Sequence, residues 1–171
     1  MANTNYKEKI NNFGFTIIDS CKNLNKDETL YVTYCCAEKC KEAKAKVKDL
    51  YLSVRCKTFF KNIEGYDAGI ISEKYGLVFL DQELDNYDFG PKDLTEEIKE
   101  ELKETLRQQI KAHGKKNLVL FGAPLMSMGF MNLLSKVECD KYLCYGTNRL
   151  KDIPTNKEEK IKVELKNKKL F

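Results

Sequence analysis

Four short apolar runs, at residues 30–34, 68–72, 117–121 and 141–145, alternate along this chain with stretches whose apolar residues recur at helical spacing. The order is helix then strand, repeated to the end. Parallel strands need a crossover between them, and a helix supplies it, so such alternation packs as a mostly parallel sheet covered by helices. The expected fold is α/β: a Rossmann-like, three-layer sandwich with a mostly parallel central sheet and helices on both faces. A chain of 171 residues buries a substantial core as one domain. Residues 1–150 are read as that single domain. Residues 151–171, with six lysines after Pro154, are read as a peripheral basic C-terminal tail.

Spacings of three and four among Tyr6, Ile10, Phe13, Ile17, Ile18 and Cys21 predict a helix over 4–24, divisible at Gly14. Residues 49–62 predict another helix. The lysine-rich piece 38–48 before it reads as a helix or a basic flap. Residues 77–80 are extended and 81–91 form a long polar loop, a length often tied to function. Leu94, Ile98, Leu102, Leu106 and Ile110 mark a helix over 94–112. Asp93 and Glu96 read as its capping box, Gly114 as its stop, and His113 as a cation at its C-terminal dipole. Residues 125–134 form an apolar helix with Met126, Met128, Phe130 and Met131 as core.

Composition narrows the functional classes. With 42% hydrophobic and 33% charged residues the chain folds rather than staying disordered. No apolar run approaches the roughly 20 residues of a membrane helix, and the N-terminus lacks a signal peptide's apolar core. The expectation is a cytoplasmic protein with no membrane partner. Seven cysteines, an odd count, argue against a closed disulfide framework. Cys35, Cys36 and Cys40, or Cys139 and Cys144, do not make the paired knuckles of structural zinc. Neither G-x-G-x-x-G nor G-x-x-x-x-G-K-[ST] occurs. No cofactor and no metal are expected. A single histidine leaves no Ser-His-Asp or Cys-His triad. A net charge of +4 is modest for a duplex-DNA binder.

Ligands of open parallel sheets bind beyond the carboxyl ends of strands, near a switch in strand order. That rule selects Cys35 and Cys36, then residues 72–76, then 122–126. A cysteine there acts as a nucleophile if a cation or helix N-terminus stabilises its thiolate, and Lys39 is the nearest such cation in sequence. Either Cys35 or Cys36 fits. Lys39 and Ser53 complete the candidate catalytic set with Cys35. Cys36, Tyr51, Ser72, Tyr75, Gly76, Tyr87 and Gly122 are candidate substrate-binding residues.

These residues carry a resemblance. Cys35, Lys39, Leu50-Tyr51 and Ser53, then Ile71-Ser72, Tyr75-Gly76-Leu77 and Tyr87-Asp88, resemble the pattern C-S-x-x-K … L-Y-x-S … I-S-x-x-[YH]-G-L … Y-D. It belongs to an uncharacterised domain family, some of whose members carry a peroxide-stress label. That pattern is distantly similar to the catalytic domain of archaeosine synthase, which acts on a nitrile-bearing 7-deazaguanine base in tRNA. Here Tyr34 replaces the proline before the cysteine, Cys36 the following serine, and Cys56 the histidine after Ser53. The resemblance implies an enzyme acting on a modified purine-like base or its nucleotide, with Cys35 attacking an electrophilic carbon such as a nitrile. The alternative is a non-catalytic, stress-related module whose lysines hold a nucleotide, RNA or DNA.

Overall fold

The computed structural model describes residues 2–144. The expected tail over 151–171, and Tyr145 of the fourth predicted strand, lie outside the described residues. Helix α1 (Ala2–Asn12) leads into strand β1 (Phe15–Ile18), and β2 (Thr29–Tyr34) follows a 3-10 turn. Next come β3 (Lys44–Lys46), α2 (Val47–Leu50) and α3 (Val54–Asn62), then β4 (Ala68–Ser72), β5 (Gly76–Phe79) and β6 (Glu83–Asp85). The chain continues through α4 (Glu96–His113), β7 (Asn117–Phe121), α5 (Pro124–Leu133) and β8 (Asp140–Cys144).

Six strands form one sheet in the order β1-β8-β7-β2-β4-β5. All neighbours are parallel except β4 and β5, which make an antiparallel hairpin at one edge. The fold is thus α/β with a mostly parallel sheet and helices, as the alternation of apolar runs requires. Every residue of β2 is buried. Its side chains alternate between two core clusters: Tyr31 joins Val47, Leu50 and Phe59, while Leu30, Val32 and Tyr34 join Ile10, Leu106, Ile110 and Met131. A strand that buries both sets reads as a continuous apolar run, which is why it stood out in the sequence.

Several expectations are corrected. The helix predicted over 4–24 ends at Asn12, because Gly14 takes a left-handed backbone (φ +83°) and the chain resumes as β1. Ile17 and Ile18 pair with Leu143 and Cys144 instead of continuing the helix. The basic piece 38–48 is not a flap, and only Val47 and Lys48 of it are helical, at the start of α2: its β3 pairs antiparallel with β6, so the polar loop over 81–91 also contains a strand. Lys44 and Lys48 meet Asp85 and Asp81 at 3.8 and 3.0 Å. The helix predicted over 49–62 breaks at Tyr51, which is extended and bridges to Lys39. Helix α4 is capped by Thr95, whose hydroxyl accepts from the Ile98 N–H, while Asp93 accepts from the Gly90 N–H one turn earlier. Gly114 does stop α4, with φ +80°. His113 lies in the last turn as expected, and there it bonds to the Asp67 carboxylate and packs on Phe79. Met131 is core, but Met126 is 71% exposed.

After β2 the chain builds β4 and β5 on one side, then returns to place β7 on the other. The order therefore switches between β2 and β7. A crevice must open where their carboxyl ends diverge.

Candidate functional site

A cavity of about 550 Å³ occupies that switch point. Its wall comes from the end of β2 (Tyr34, Cys35, Cys36, Lys39), from Glu73 after β4, and from Met126 and Phe130 of α5. Arg55 of α3 and residues 88–93 complete it. Among the described residues no helix is long and apolar enough to cross a membrane, and no three metal-ligating side chains converge.

Arg55 sets the rear wall. Its guanidinium lies 3.7 Å from the centre of the Tyr34 ring and donates to the carbonyls of Tyr34 and Cys35 at 2.8 and 3.1 Å. Phe130 stacks on the same tyrosine, with centroids 4.4 Å apart. Both faces of Tyr34 are thereby filled, and the backbone is fastened at Tyr34 and Cys35, where the cysteine pair begins.

The two adjacent cysteines then part company, as successive residues on an extended chain must. Cys35 turns into the core, where its thiol meets the Glu73 carboxylate at 3.8 Å. Burial outweighs the attraction of Lys39 and pushes its pKa up to about 11. Cys36 stays half-exposed on the cavity wall. Residues 38–40 pair with 50–52 through the Leu52 and Cys40 N–H groups, which brings Cys36 to the start of α3. There the Cys56 thiol, the Ser53 hydroxyl and the backbone of Leu52 and Ser53 favour its thiolate, and its pKa falls well below the ordinary 9.0. The buried partner Cys56 moves the opposite way, because a second thiolate beside the first is repelled and desolvated. As a thiol, Cys36 donates to the Glu38 carbonyl at 3.1 Å. The acidic cysteine of this site is Cys36, and the donors that favour its thiolate come from the start of α3 rather than from Lys39.

Ser53 is the N-cap of α3, its hydroxyl accepting from the Cys56 N–H at 3.2 Å. Behind the cavity, Tyr51, Ser72 and Tyr87 form a buried hydroxyl chain: the tyrosine oxygens are 2.6 Å apart and Ser72 Oγ is 3.2 Å from Tyr87. Lys39 lies 4.5 Å from the centre of the Tyr87 ring, and Tyr75 packs edge-on against it. Burial raises the pKa of Tyr51 and of Tyr87. Their rings are committed to each other, so neither presents a stacking face to the cavity. Gly76 lies away from the site, at the β4–β5 hairpin with φ +77°. Gly122 lies under Tyr34: a Cβ there would stand 2.5 Å from the ring and 2.3 Å from Ser127 Oγ. It is required by packing and does not line the cavity.

Of the ten residues selected from sequence, Cys35, Cys36 and Lys39 line the cavity, and Ser53, Tyr51, Ser72, Tyr75 and Tyr87 support it from behind. Sequence reasoning missed Arg55 and did not single out Glu73. Glu73 lies within residues 72–76, the stretch that the strand-end rule selected, but Ser72, Tyr75 and Gly76 were chosen from it. A second hollow of about 500 Å³ opens beside the amino end of β4, among Lys48, Tyr66, Asp67 and Leu80, with no thiol in its wall.

Comparison of the chain with protein-family models, with curated proteins and with solved structures returned no match in any of the three.

Proposed function

We propose that this protein is an enzyme acting on a modified purine-like base, of the 7-deazaguanine type, or on a nucleotide containing it. In this reading the sheet with its two core clusters is a Rossmann-like, three-layer sandwich, and the switch-point cavity is the active site. The resemblance of residues 35–88 to the archaeosine-synthase-like pattern supplies the substrate class. The observation that carries the chemistry is Cys36: a half-exposed thiol on the cavity wall whose charged form is favoured by the start of α3.

The reaction adds that thiolate to an electrophilic carbon such as a nitrile. The sulfur–carbon bond forms, one π bond of the nitrile breaks, and its nitrogen takes a proton from the Lys39 ammonium on the same wall. The product is a covalent thioimidate. Cys35, held protonated by burial, stays a spectator beside Glu73.

Alkylation by iodoacetamide, followed site by site with mass spectrometry, tests the nucleophile. Cys36 is expected to react nearly as fast at about pH 6 as at about pH 8, because the thiolate is already formed. Cys35 is expected to react slowly throughout. If Cys36 instead slows about tenfold per pH unit over that range, as an ordinary thiol does, the role is lost. With a 7-cyano-7-deazaguanine base as probe, the wild type is expected to gain the mass of the adduct and Cys36→Ser is not.

A further inference from the structure

We propose that Glu73 is the specificity-determining residue of the cavity, reading a ligand edge that carries two adjacent N–H donors, as guanine-type bases present through N1–H and the 2-amino group. This rests on the purine-like substrate proposed above and narrows it to one edge chemistry.

The starting point is an under-satisfied carboxylate. Glu73 is only 8% exposed, yet it lines the cavity. Its one hydrogen-bond partner among the described residues is the Cys35 thiol at 3.8 Å, a weak donor. Among the described residues it makes no salt bridge. Buried carboxylates are stable when their lone pairs are filled by donors, and a single thiol leaves most of them open. Burial accordingly raises its pKa. The other carboxylates of the wall differ: Asp88 and Asp93 are exposed, and Asp93 already accepts from the Gly90 N–H at 2.9 Å.

The surroundings define which ligand edge Glu73 can accept from. Lys39 lies close enough to pull on Glu73 electrostatically, so a cationic ligand is disfavoured beside it and a neutral donor is not. Phe130 and Met126, with Phe89, give the cavity apolar walls suited to a flat ring. Lys39 and Lys92 supply positive charge for an anionic substituent such as a phosphate. Two carboxylate oxygens match two parallel N–H donors geometrically, as in an arginine–carboxylate pair. An adenine-type edge offers one donor beside an acceptor and leaves one oxygen facing a lone pair.

Calorimetric titration of the full chain with guanosine 5′-monophosphate and inosine 5′-monophosphate, which differ only in the 2-amino group, tests this. A hydrogen bond to a charged acceptor is worth about 1.5–3 kcal/mol, so the guanosine nucleotide is expected to bind roughly 10- to 150-fold tighter. In Glu73→Gln the preference should fall to about twofold or less, since a carboxamide turns one acceptor into a donor. Equal affinity of the wild type for both nucleotides, failure to bind either, or a preference that survives Glu73→Gln overturns the proposal. Should Glu73→Gln not fold, the wild type decides. Its preference should fade on acidification before an ordinary carboxyl of pKa 4.5 would protonate, because burial raises that of Glu73. A preference constant with pH overturns the proposal. Adduct formation at Cys36 is read by mass and the guanosine-over-inosine preference by calorimetry, so loss of the nucleophile reading and loss of the recognition reading are separable.

Discussion

Lys141 is a cation set into the core with carbonyls arranged around it. It is 7% exposed, and its ammonium donates to the carbonyls of Leu134, Ser135 and Val137 at 3.2, 3.1 and 2.9 Å. It thereby serves the Ser135 and Val137 carbonyls of the turn after α5 and gives a second bond to the Leu134 carbonyl, which also accepts from the Val137 N–H. Burial lowers its pKa below the ordinary lysine value of 10.5. The protonated form is thus less favoured in the fold than in the unfolded chain. That penalty is present at neutral pH and is relieved as pH rises through the folded pKa toward the unfolded one. Lys141→Met is expected to lower stability by about 1–3 kcal/mol in urea unfolding near neutral pH, since the carbonyls lose their donor. It should also remove the part of the rise in stability toward alkaline pH that Lys141 contributes. A variant as stable as the wild type would mean that the carbonyls find other donors. Nothing in the sequence marks this lysine among thirty basic residues. Its role depends on a turn from a different element, and the same is true of Glu73 and Arg55. Cys36 was visible as a candidate because two cysteines ended a buried run. Which of the pair is acidic depended on where α3 begins, and no local spacing contains that.

At the scale of elements, periodicity was readable where one face alone is buried and ambiguous where both readings fit. The repeat of Leu102, Leu106 and Ile110 specified α4, and all three are buried. Phe13, Ile17 and Ile18 satisfy helical spacing, while Phe15 and Ile17 satisfy strand alternation equally well. Gly14 decides the matter by adopting a backbone that ends α1, and β8 then offers β1 a partner that no sequence window of that size includes. The short β3 and β6 were hidden for a similar reason, since strands of three residues carry almost no pattern. The start of α4 shows how a cap is misassigned when two residues qualify. Thr95 accepts from the Ile98 N–H, and Asp93 closes the preceding 3-10 turn. Thr95→Ala is expected to lower stability by about 1 kcal/mol. Asp93→Ala should cost less, because its turn is exposed and separate from the helix. Urea unfolding of both variants checks the order. Had Asp93 been the cap, the ranking would reverse.

The whole molecule is held by pairings that are remote in sequence. The central contact is β2 against β7, and Thr33 Oγ1 there bonds to the Phe121 carbonyl 88 residues away at 2.8 Å. Beta2 is flanked on both sides, whereas β1 and β5 each have one neighbour. Opening a central strand requires disruption of both core clusters, because β2 contributes to each. Opening an edge strand breaks one ladder. Native-state hydrogen exchange is therefore expected to rank the amides of β2 and β7 at the free energy of global unfolding, and those of β1 and β5 below it. The ranking bears on the site. Cys35 and Cys36 follow the most protected strand, and Arg55 fastens their backbone to α3, so the thiol should be held on the rigid part of the molecule. Residues 88–93, which form the cavity's other wall, contain only a 3-10 turn and should exchange fast. A cavity with one rigid wall bearing the nucleophile and one yielding wall admits a ligand without disturbing the reactive sulfur. If β2 and the amides of residues 35–36 exchanged as fast as 88–93, the thiol would not be pre-positioned. The start of α3 would then not hold its charge.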